Sequence, residues 1–289
     1  MCIMPFVSVT KVVIQGRVAQ EIINTQKRLM LFNVIQFFAA FVVNTALNLR
    51  SLPQNFWITF GAAAATAVFS ASFQSFYALA MRQGPVGKTS IINNFASFPP
   101  LILGVLFFHE ALGIWKIIAI ACMVVAFVLI PKDTGEPMNW RWFLLAMAAM
   151  LSSSAMNVVL LFLGKTPSFA EDRDFYFSVL FLMAFLFSLV LYLRICRRSP
   201  DGDTVASMFR MPRYFWGAAA VGALVCVYNY LVPVVLSGVD STVFYPVTAL
   251  GGMTVAALAG VILFREHLSL RSGIGILVAM VSILLTNIG

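Results

Sequence analysis

Two stretches of the chain decide its architecture: Leu101-Ile-Leu-Gly-Val-Leu-Phe-Phe-His-Glu-Ala-Leu112 and Ala257-Leu-Ala-Gly-Val-Ile-Leu-Phe-Arg-Glu-His-Leu268. Extended to Leu101–Ile130 and Ala257–Thr286, an offset of 156, they share nine identities in thirty positions. Apolar matches alone arise by chance. A shared Gly…Phe-x-Glu-x-Leu, present as Gly104/Gly260, Phe108/Phe264, Glu110/Glu266 and Leu112/Leu268, is less easily dismissed. In both copies it joins one apolar run to the last run of a half chain, and a repeat of this length defines a fold. The starts of the halves match as well: Ser8-Val-Thr-Lys-Val-Val13 parallels Ser154-Ala-Met-Asn-Val-Val159 at an offset of 146. The predicted units are residues 1–132 and 140–289.

The runs around these motifs set the class. Of 289 residues 61% are hydrophobic and 10% charged, against about 25% charged in soluble domains, which leaves too little charge to cover a water-soluble surface. Disorder and nucleic-acid binding are excluded on the same ground. A helix needs about 20 apolar residues to cross hydrocarbon. Nine uncharged runs of that kind follow one another, at Leu29–Leu49, Phe56–Met81, Thr89–Phe108, Ile117–Ile130 (reaching back toward Gly113), Trp142–Gly164, Phe175–Leu193, Tyr214–Val239, Ser241–Phe264 and Ser272–Gly289. They are continuous rather than alternating, so a β-barrel is disfavoured. Met1–Ile14 aligns with the second half of the Trp142–Gly164 run and reads as a tenth helix whose first half is absent. The expected fold is therefore all-α and polytopic, about ten transmembrane helices in two five-helix halves. Five crossings per half make the halves face opposite ways, the inverted-repeat plan of many transporters.

These features resemble the drug/metabolite transporter superfamily, EamA type. Ser237-Gly-Val-Asp-Ser-Thr-Val-Phe-Tyr-Pro246 is similar to that family's turn between the third and fourth helices of a repeat. Leu263-Phe-Arg-Glu-His-Leu268, followed by Gly273 and Gly275, resembles its end-of-repeat motif, with Phe107-Phe-His-Glu-Ala-Leu112 as the counterpart. The resemblance implies a permease or exporter of a small molecule in a bacterial inner membrane. It also implies a central cavity lined by the first, third and fourth helices of each repeat.

Charge placement bears on orientation. Loops after odd helices hold fourteen Lys and Arg, those after even helices four, and Lys11 stands alone inside the partial helix. Basic loops stay in the cytoplasm, which places both termini outside, whereas the resemblance implies both inside. A reporter fused to Gly289 separates the two.

Polar residues inside apolar runs mark helix–helix hydrogen bonds or a substrate path. Gln74 and Tyr77 lie three apart, on one face of the third helix. Asn93 and Asn94 precede Pro99-Pro100 in the fourth. Ser152–Ser154 and Asn157 fall in the sixth, Tyr228, Asn229 and Tyr230 precede Pro233 in the eighth, and Tyr245, Pro246 and Thr248 open the ninth. The prolines remove backbone donors and kink or break their helices. The substrate-cavity candidates are Lys11, Gln74, Tyr77, Asn93, Asn94, Asn157, Tyr228, Asn229 and Tyr245, each weighed against simple interhelical bonding. Lys11 either holds an anionic group such as a carboxylate or extends to a nearby interface. Glu110 and Glu266 sit in turns, where an acid favours the N-terminus of the next helix. The glycines Gly251-Gly252 read as close helix packing.

No apolar run contains Asp or Glu, which argues against proton exchange for cationic drugs through a buried carboxylate. No cofactor or metal site is indicated, Cys2, Cys122, Cys196 and Cys226 being scattered, and no phosphate-binding loop is present. An intramembrane enzyme needs converging acid, base or nucleophile, which these runs do not supply. The expected partners are a small-molecule substrate, the lipid bilayer and a coupling proton or ion, in a monomer or homodimer. A small neutral or zwitterionic metabolite, such as an amino acid, suits a cavity of Asn, Gln, Ser and Tyr. The alternative is a lipid-handling or scaffold protein such as a flippase, distinguished by a cavity that opens sideways to lipid.

Overall fold

A computed structural model describes residues 3–21, 23, 25–48, 53, 55–109, 113–129, 139–166, 169–198, 211–264 and 270–288. It is an all-α membrane protein. The helices are α1 (Ile3–Glu21), α2 (Gln26–Asn48), α3 (Phe56–Gln83), α4 (Val86–Asn94), α5 (Phe98–Phe108), α6 (Ile114–Leu129), α7 (Trp140–Lys165), α8 (Phe169–Arg198), α9 (Pro212–Leu236), α10 (Ser241–Phe264) and α11 (Leu270–Ile288). A 3-10 turn, Phe95–Ser97, joins α4 to α5. Among the described residues six spans are long and apolar enough to cross a membrane: α2, α3, the α4–α5 pair, α7, α8 and α9. Both Glu110 and Glu266, with the Phe-x-Glu-x-Leu turns, lie outside the described residues, as does the boundary between the two predicted units.

Helix ends follow local chemistry. Asn139 caps α7, its side chain accepting from the Trp142 amide at 3.3 Å, which satisfies one orphan donor of the first turn. At the far end of α5 the chain turns through His109 in the left-handed region, φ 51°. The helices also outrun the apolar runs. α1 continues past Ile14 to Glu21, 19 residues or about 28 Å. α8 begins at Phe169, so Glu171 and Asp172 stand in its first turn, where acids favour the positive end of the dipole. Asp172 is buried there. It accepts from the Thr59 hydroxyl at 2.8 Å and the Asn55 amide at 3.2 Å. The expectation that buried carboxylates are absent thus needs correction: apolar runs stop at charges, and helices do not.

The Pro99-Pro100 pair shows how sequence breaks a span. Neither proline has an N–H, so the carbonyls of Phe95 and Ala96, four residues earlier, lose their helical donors. The backbone answers with the tight turn, in which the Phe98 amide donates to the Phe95 carbonyl, and α5 restarts with the prolines in its first positions.

Packing is by cross-contact between the two parts of the chain. α2 packs on α8 and α9, α3 on α7 and α8, α1 on α9 and α10, α4 on α10 and α7, and α6 on α11. The α2–α9 seam is close because α9 turns Ala218, Gly222 and Cys226 inward, all buried. A Cβ on Gly222 would run into the Gln36 carbonyl. Small residues at such spacing let helix backbones meet in a membrane.

Candidate functional site

A cavity of about 60 Å³ lies where α1, α3, α4, the 3-10 turn, α7 and α9 converge. It is lined by Lys11, Gln74, Asn93, Asn94, Asn157, Tyr228 and Asn229, seven of the nine residues singled out above. It has room for a few water-sized groups, and most of its wall is amide and hydroxyl.

Lys11 projects from α1 between two rings. Its Nζ stands 5.5 Å from the Phe73 centroid and 5.9 Å from that of Tyr228, within cation–π range. Among the described lining residues it is the single charged side chain. Lys11 lines the cavity. Tyr77 is buried outside the lining and stacks on Phe73 at 5.1 Å and 28°, so it backs the ring that faces Lys11.

Gln74 is fixed from α1. Gln15 Nε2 donates to Gln74 Oε1 at 2.9 Å, which leaves the Gln74 NH₂ as the group free to turn to the cavity. Asn93 Oδ1 and Asn94 Nδ2 are buried without hydrogen-bond partners. Buried polar atoms are nearly always paired, so two orphaned amide atoms on one wall are ready for a ligand or water. Asn94 is seated against α10: a Cβ at Gly252 would lie 2.6 Å from Asn94 Oδ1. Of the glycine pair read as helix packing, Gly252 therefore makes room for a cavity side chain.

Asn157 ties the wall together. Its Nδ2 donates to the Ala96 carbonyl at 3.5 Å, the carbonyl that Pro100 deprives of a helical donor. Its own carbonyl accepts from the Tyr245 hydroxyl at 2.9 Å. Tyr245 is thus a buried brace from α10 and stands outside the lining. In α9, which runs on through Pro233, that proline has no N–H to offer the Asn229 carbonyl, so a second acceptor without its helical donor falls beside the cavity. Pro246 lies within α10, which continues through it.

Sequence reading missed Ser8, Ser70, Phe73, Ser97, Met156 and Val225 in the lining, and Gln15 behind it, while Ser153 belongs to the Ser152–Ser154 cluster noted above. Gln15 had a signal, being an amide one residue past the end assigned to the first helix. Ser8, Ser70 and Ser97 had none, since Ser serves close packing as readily as a site.

No family model and no curated protein matches the chain. Solved structures match it in shape. One, a crystal structure described simply as that of a protein, superposes over 98% of this chain and 98% of its own, at TM-score 0.62 and 13% identity. At that identity the likeness shows the fold alone.

Proposed function

We propose that this protein is a secondary carrier of the EamA-like drug/metabolite transporter type. It moves a small metabolite by alternating access between two inverted five-helix repeats. The observation that carries the reading is the cavity itself. Its polar walls come from both halves of the chain, in the middle of helices that are apolar elsewhere. Lys11 and Asn157, paired by the repeat, both line it, and the helix pairs exchange with their counterparts as a two-fold relation requires. Binding sites at a repeat interface beside broken helices are what rocking carriers use. The break at Phe95–Ser97 fits that pattern, and Pro233 frees the Asn229 carbonyl within a continuous helix. The described wall offers amides, hydroxyls, rings and one ammonium, a set suited to binding rather than to acid–base turnover.

The test is uptake by purified protein in liposomes, with a metabolite panel inside and out. Saturable exchange of at least one solute, reduced by Asn94→Ala or Asn229→Ala, is expected. No exchange with any of them defeats the reading.

One observation favours lipid handling as a second reading. An apolar groove formed by Phe95, Phe98, Pro99, Val124 and Met150 runs on the other side of the same turn whose Ser97 lines the cavity. A fluorescent-lipid scrambling assay in the same liposomes distinguishes the two.

A further inference from the structure

Taking the carrier reading as its basis, we infer that the cavity selects a small monoanionic carboxylate, held by Lys11 between Phe73 and Tyr228. Four observations lead there. Lys11 Nζ faces two rings, and among the described residues it has no carboxylate or hydrogen-bond acceptor of its own. A ring face attracts a cation but leaves the three ammonium donors unfilled. Second, a desolvated lone charge is costly, and one bound carboxylate cancels it. The described lining carries no second cation, so a dicarboxylate or phosphate dianion would bring one uncompensated negative charge into the same space. Third, the lining holds no acid. An amine, or the ammonium of a zwitterion, would meet Lys11 with like charge, a repulsion that a poorly solvated site strengthens. Fourth, Asn94 Nδ2 and Asn93 Oδ1 are orphaned on the same wall. The first can donate to the second carboxylate oxygen, and the second can accept from a hydroxyl on the ligand. Phe73 and Tyr228 then flank the ligand's apolar body. The chemistry thus favours monocarboxylates over free amino acids.

The experiment uses the full chain in detergent micelles, titrated by calorimetry with acetate, butyrate, benzoate and phenylacetate. The matched probes phenylacetamide, phenethylamine, phenylalanine and succinate are run beside them. Phenylacetate is expected to bind about tenfold or more tighter than its amide, its amine or succinate, as a charge-assisted bond implies. Lys11→Met should abolish that preference and Lys11→Arg should keep most of it. Equal binding of amide and carboxylate by the wild-type chain, or no saturable carboxylate binding at all, overturns the inference without any variant having to fold. Phosphatidylcholine nanodiscs with and without oleate separate two sources of the same group. Displacement of phenylacetate by oleate in the disc, but not by phosphatidylcholine alone, supports the anion site and assigns it to a lipid carboxylate; no displacement assigns it to a free solute. Liposome flux keeps the two readings apart. Lys11-dependent binding without phenylacetate flux retires the carrier and retains the site. Exchange of neutral solutes untouched by Lys11→Met retains the carrier and overturns the site.

Discussion

Two buried polar regions of this molecule use the same residue types to opposite ends. Where α2 and α3 pack against α8, several polar groups are matched, although Asn33 Oδ1, Thr45 Oγ1 and Asp174 Oδ1 on these helices lack partners and stand outside the cavity lining. Asn44 Nδ2 donates to Ser178 Oγ at 2.8 Å, Tyr176 donates to Thr66 Oγ1 at 2.9 Å, and Asp172 accepts from Thr59 and Asn55. Around the cavity, Asn93 and Asn94 keep orphaned atoms and Lys11 meets only rings. A polar residue inside a span therefore does not mark a site. An unmet one, on a wall with space before it, does. Glue costs stability when cut, whereas site residues should cost binding and leave the fold intact.

The largest effect tests the seam beside the matched region. Gly222 lies against the Gln36 carbonyl, a backbone atom that cannot swing aside, and overpacking a tight contact costs about 1–3 kcal/mol or more. Gly222→Leu should separate α9 from α2 and abolish monodisperse protein in size-exclusion chromatography. An unchanged elution profile would show that the seam is looser than drawn.

Asp172→Ala comes next. It leaves the Thr59 hydroxyl and Asn55 amide without their acceptor, and an unsatisfied buried partner costs about 1–3 kcal/mol. The thermal midpoint in detergent should fall by several degrees while carboxylate affinity stays the same. Loss of affinity with no loss of stability would move Asp172 from glue to function. Asn44→Ala should behave alike but more weakly, about 0.6 kcal/mol being typical of interhelical bonds in membranes.

Lys11→Met should do the reverse: carboxylate binding falls, and the midpoint holds or rises, because a desolvated ammonium gives way to an apolar side chain of similar length. A fall in midpoint as large as that of Asp172→Ala would make Lys11 structural and erase the contrast between the regions.

How much of this could be read beforehand divides along the same line. Helix class and most span limits follow from uninterrupted apolar runs, a signal in one dimension. Helix ends do not, because capping and the dipole draw polar residues such as Asp172 into α8 and carry α1 on to Gln15. Seven cavity residues were legible because an Asn, Gln, Tyr or Lys in an apolar run is costly and so conspicuous. Tyr77 and Tyr245 were equally conspicuous and brace the wall from behind. Their place depends on which face of the helix meets which neighbour, and spacing along one helix does not report that. Asn44 and Asn94 look alike in sequence; Ser178 within reach of one and space beside the other tell them apart.

The smallest predicted effect probes that last distinction at a position invisible to polarity. Gly252 has no side chain to bind anything, yet it sets where Asn94 sits: an added Cβ would lie 2.6 Å from Oδ1 and 3.1 Å from Cγ. The atoms met belong to a short side chain rather than to backbone, so Asn94 can give way by rotating, at a cost of about 0.5–1.5 kcal/mol for an off-rotamer angle. Gly252→Ala should therefore leave expression and midpoint nearly unchanged and weaken carboxylate binding by a few-fold. The loss should vanish in an Asn94→Ala background, where no amide remains to be displaced. A loss that persists there would mean that Gly252 acts through the packing of α4 against α10, and the boundary between glue and site would have to be redrawn to include that seam.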